Sequence, residues 1–81
     1  MKSKLMEAIE LRKNNRPEEA IGILQVLLQS HPNDPDINYQ MAWTCDFMGK
    51  ESEAVPFYEK AIENGLREYR AGAMLGKLQR F

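Results

Sequence analysis

At 81 residues and 43% hydrophobic content, the chain suits one small soluble domain and neither two domains nor a disordered tail. Eleven Lys and Arg against twelve Asp and Glu leave a net charge of -1, which argues against a general nucleic-acid binder, and no apolar run nears the length that would cross a membrane. Met1 to Leu11 is too charged for a secretory signal, and the single Cys45 permits no internal disulfide, so a reduced, cytoplasmic setting is expected.

In chain order, Leu5, Ala8, Ile9 and Leu11 recur at helical spacing and predict a first helix over Lys4 to Lys13. Asn14, Asn15 and Arg16 break the pattern, and Pro17 suits the first turn of a second helix. That helix carries Ala20, Ile21, Ile23, Leu24, Leu27 and Leu28, with Gly22, Gln25 and Gln29 as its solvated stripe. His31 to Pro35 is a stop and restart, with Asp34 a natural N-cap and Pro35 a natural first helical residue. A third helix should reach about Met48, with Gly49 in the left-handed region behind it. The fourth covers about Glu51 to Asn64 and stops at Gly65; Pro56 predicts a slight bend or a frayed first turn. A fifth runs from about Arg67 toward the carboxyl end. With no period-two alternation anywhere, the expected class is all-α.

An internal period is the strongest signal. A shift of 34 residues places Ala8 on Ala42 on Gly76, Glu19-Ala20-Ile21 on Glu53-Ala54-Val55, Leu24 on Tyr58 and Leu28 on Ile62. Small residues recur where two helices approach closely, and large apolar ones recur a turn later. Each helical pair cannot bury its apolar face alone and is completed by stacking on the next.

The 34-residue helix–turn–helix period resembles the tetratricopeptide repeat. Lys4, Glu7, Ala8, Leu11, Ala20, Leu24 and Pro32 stand at the motif positions of the first unit. Asn38, Met41, Ala42, Cys45, Ala54, Tyr58 and Leu66 do so in the second, and Leu75 and Gly76 in a partial third. The family's Trp is absent from every unit, and Glu7 replaces a core Leu. The resemblance implies a short right-handed superhelix of antiparallel pairs with five helices in one domain, 1–81. Its units would be 1–34, 35–68 and a terminal helix, 69–81.

On the third helix, Met41, Cys45 and Met48 point one way at 100° per residue, with Ala42 at their edge. Tyr39, Trp43 and Phe47 point nearly opposite. The resemblance implies that these three line a concave groove, where they would anchor a peptide; the alternative is that a neighbouring helix covers them. Arg70, Lys77 and Arg80 share a face of the last segment, on the groove side in the repeat register, whereas Pro35 to Glu68 has seven acids against three bases. Either the groove has a basic end suited to an acidic peptide terminus, or these charges are a solvated face. The family's clamp for a terminal carboxylate uses Lys and Asn at places held here by Leu5, Ile9, Tyr39 and Trp43, so that clamp is not expected.

The expected function is therefore a protein–protein interaction scaffold, not an enzyme, that binds a partner through Leu5, Ile9, Tyr39, Trp43, Phe47, Arg70 and Lys77. Self-assembly into a homo-oligomer is the alternative, since two units and one extra helix approach the minimum for a solenoid. No cofactor or metal is expected. His31 reads as a linker residue, Asp34 and Asp36 as capping groups and Cys45 as a packed thiol, and no phosphate loop, zinc spacing or nucleophile elbow occurs.

Overall fold

A computed structural model describes residues 2–65. These form four helices: α1 (Lys2–Lys13), α2 (Pro17–Ser30), α3 (Pro35–Phe47) and α4 (Glu51–Glu63). They pack as antiparallel pairs, α1 on α2 and α3 on α4, joined chiefly through α2 and α3. The expected fifth helix, with Arg70 and Lys77, lies outside the described residues.

Local chemistry sets the boundaries. The Asp34 carboxylate accepts from the amides of Asp36 and Ile37 at 2.9 and 3.0 Å, and Pro35 opens α3 where no donor is needed. Behind α1, the Arg16 amide reaches back to the Leu11 carbonyl at 2.8 Å across Asn15, whose φ is 63°. Behind α3, the Lys50 amide does the same to Cys45 at 2.9 Å across Gly49, φ 78°. These are the same closing turn, 34 residues apart, built once on Asn and once on Gly. The period therefore governs the turns as well as the cores.

Of the two effects expected from Pro56, a slight bend or a frayed first turn, the frayed turn does not occur. The helix runs unbroken from Glu51 through Pro56. Pro56 and Ser52 are both exposed, on the solvent side of α4, where water can take the place of the bond that Pro56 cannot make.

Two apolar clusters form the core. Ala8, Ala20, Leu24, Leu27, Ile37 and Met41 make the first, and Ala42, Cys45, Ala54, Tyr58 and Ala61 the second. Phe57, half-buried, packs against both and links them. The alanines that recur at 34 residues are 1% exposed or less, because a larger side chain there would push the paired helices apart. Leu28 and Ile62, also paired by the period, are half-buried. Glu7, in place of an expected core Leu, is exposed and pairs with Lys4 at 3.6 Å on the open side of the first unit. Asn38, at a position where the family carries Trp, is buried because its amide donates to the carbonyls of Pro32 and Asp34 at 3.1 and 2.8 Å. It ties the linker to α3 instead of filling space.

Candidate partner-docking face

The two sides of α3 meet different environments. Ile37, Met41 and Cys45 are 5% exposed or less, whereas Trp43 and Phe47 are 43% and 50% exposed. The core needs only one stripe of an amphipathic helix, and α3 carries apolar residues on two. Tyr39 stands between these states: it is half-buried against the second cluster and meets Trp43 edge-to-face at 5.6 Å. Its ring lies 6.3 Å from that of Tyr58, so the aromatic row is anchored on α4 at one end and open at Phe47.

From α1, Leu5 and Ile9 are half-buried. Leu5 packs against the first core cluster, so part of its surface is structural, while Ile9 belongs to neither cluster. The structure thus brings Tyr39 and Trp43 into contact, keeps Phe47 one turn further along α3, and puts α1 beside them.

The link from α1 to the aromatics is a residue the sequence reading missed, Arg12. Its guanidinium lies 4.1 Å from the centre of the Trp43 ring and donates to the Gln40 side-chain carbonyl at 2.5 Å. Arg12 is only 4% exposed, rare for a cation. Burial pushes its pKa down, and the nearby phenols of Tyr39 and Tyr58 push it back up; it stays charged throughout the physiological range. Burial likewise raises the Tyr58 phenol, with Tyr39 and Cys45 adding to the rise and Arg12 opposing it. Spacing puts Arg12 on one helical face with Leu5 and Ile9, but nothing in the sequence shows that Trp43 and Gln40 bury it there.

Among the described residues, no group of three His, Cys, Asp or Glu side chains could hold a metal ion, and no helix is long and apolar enough to cross a membrane. His31 is exposed in its turn and Cys45 is buried. Burial raises the Cys45 pKa, Glu53 raises it further and Lys50 opposes the rise, which is the setting of a packed thiol and not of a nucleophile.

A family model described as tetratrico peptide repeat matches residues 35–79, more than half of the chain. Comparison with curated proteins finds no match, and comparison with solved structures finds none.

Proposed function

The chain belongs to the tetratricopeptide-repeat family, typically non-catalytic scaffolds whose repeats point to protein–protein interaction, and on that premise we propose that it holds a peptide segment of a partner protein against the face carrying Trp43. The observation that carries this reading is the two-sided α3. One stripe is sealed in the core, while Trp43 and Phe47 on the other are about half exposed. Trp and Tyr offer large rigid contact areas at little entropic cost and dominate binding hot spots. Leu5 and Ile9 of α1 and Tyr39 of α3 extend the surface. In the repeat register Lys77 takes the place of Ile9 and Trp43, which supports Lys77 and Arg70 as a basic end of the same groove. The units 1–34, 35–68 and 69–81 would then stack as one right-handed superhelical domain. No bond is made or broken in the partner; the scaffold acts by burying its anchors.

Affinity capture from the source cell with four baits tests this. Trp43→Ala and Tyr39→Ala should each weaken retention of the partner by about 2 kcal/mol or more, with helicity unchanged. Val26→Ala, at a 63% exposed residue on α2, should capture as the unaltered chain does. Equal capture by all four would contradict the docking face.

A further inference from the structure

The Arg12 cation is almost fully buried, stacked on Trp43 and bonded to the neutral Gln40, and touches no carboxylate among the described residues. The ion pairs described there are Lys4–Glu7 and Arg16–Glu19, both on the surface. Asp46, one turn beyond Trp43 on α3, has an interaction of its own. A guanidinium on an indole has two consequences. It fixes the ring, because a second attachment at Gln40 prevents the stack from sliding. It also places a positive charge, paired with no carboxylate among the described residues, beneath the ring, in surroundings where charge is poorly screened.

We infer that Arg12 is the positioning and specificity residue of the docking face: it holds Trp43 in place before the partner arrives and makes the site refuse cationic anchors. The partner segment it fits places an aliphatic or aromatic side chain on Trp43, with an acidic rather than a basic neighbour. A Lys or Arg stacked on the opposite face of that ring would stand about 8 Å from the Arg12 charge, and such repulsion is how interfaces exclude wrong partners. A ring held in advance loses little freedom on binding, so the same contact also favours affinity. The inference rests on the docking reading for its biological consequence, but its physical content is measurable without a partner.

Trp43 is the sole tryptophan of the chain, so its fluorescence reports this one site. The test is quenching by acrylamide, iodide and caesium at equal ionic strength on the whole chain and on Arg12→Met, which keeps an apolar stem and removes the charge. Acrylamide, being neutral, reads whether the ring is open at all; failure to quench would remove the docking reading itself, and this inference with it. Given acrylamide quenching, iodide should exceed caesium by roughly three-fold. In Arg12→Met that ratio should fall to about one and the ring should show a roughly two-fold larger sub-nanosecond anisotropy decay. Arg12→Lys should keep the ratio but not the immobility, since an ammonium lacks the planar fork that stacks and donates at once. Equal iodide and caesium quenching of the unaltered chain overturns the inference while leaving the docking face intact, and it does so even where Arg12→Met fails to fold. An unchanged ratio in a folded Arg12→Met also overturns it.

Discussion

At the scale of single residues, an aliphatic side chain has opposite value on the two sides of α2. Leu24 is 1% exposed and central to the first cluster, so Leu24→Ala should cost about 3 kcal/mol by transfer and cavity terms. Val26, two residues on, is 63% exposed, and its replacement should cost little; urea titration of the two variants reads the difference. Cys45 and Tyr58 predict a pH effect. Each has a folded pKa raised chiefly by burial, so the folded state keeps a proton that the unfolded chain loses. Their contribution is complete below the ordinary thiol value, about 8.5, and declines as pH rises through the folded value of Cys45, with Tyr58 adding a second decline that begins near 10. Cys45→Ala should flatten the first part of that decline when urea midpoints are followed from neutral to alkaline pH. Alanine and leucine burial was legible from the period, because repetition exposes which positions must stay small. Arg12 and Asn38 were not. Both are polar residues buried by partners distant in sequence or in the linker, and neither hydropathy nor spacing alone announces a satisfied polar group.

At the scale of elements, the helix limits follow from a few terminal groups whose loss can be predicted. Removing the Asp34 carboxylate leaves two amides at the start of α3 without their acceptor, so Asp34→Ala should cost about 1 kcal/mol. Gly49 has open space around the place where a Cβ would stand, and its φ of 78° alone makes Gly49→Ala cost about 1 kcal/mol. The equivalent Asn15 shows that the turn tolerates a side chain able to adopt the left-handed region, so Gly49→Asn should be milder than Gly49→Ala. Thermal melts of the three variants check the order. Pro17, Pro35, Gly49 and Gly65 made these limits readable in advance. The fate of Pro56 was not, because what decides it is whether the Ser52 carbonyl faces solvent, and that depends on how α4 is rolled against α3.

At the scale of the whole molecule, Phe57 is the place where the two core clusters meet. Phe57→Ala should therefore cost about 2 kcal/mol or more and broaden the unfolding transition, because the two repeats would lose their shared side chain. If the aromatic face serves a different protein, the unbound chain should keep a monomeric mass as concentration rises. A mass that doubles on concentration, and returns on substituting Trp43, would assign that face to a second copy instead. The all-α class, the 34-residue unit and the two-sided α3 were legible from periodicity. The way α1 joins the aromatic row was not, since it runs through one stacked cation between helices that are not neighbours in sequence.

The claim on which the account depends is that the Trp43 side of α3 is where another protein sits. Replacing Phe47, 50% exposed beside Trp43, with a photo-cross-linking phenylalanine analogue tests it inside the source cell, with Val26 replaced in the same way as the control. The account predicts a discrete cross-linked partner from position 47, lost on adding Trp43→Ala, and none from position 26. Cross-links of equal yield from both positions, or from position 26 alone, would contradict it.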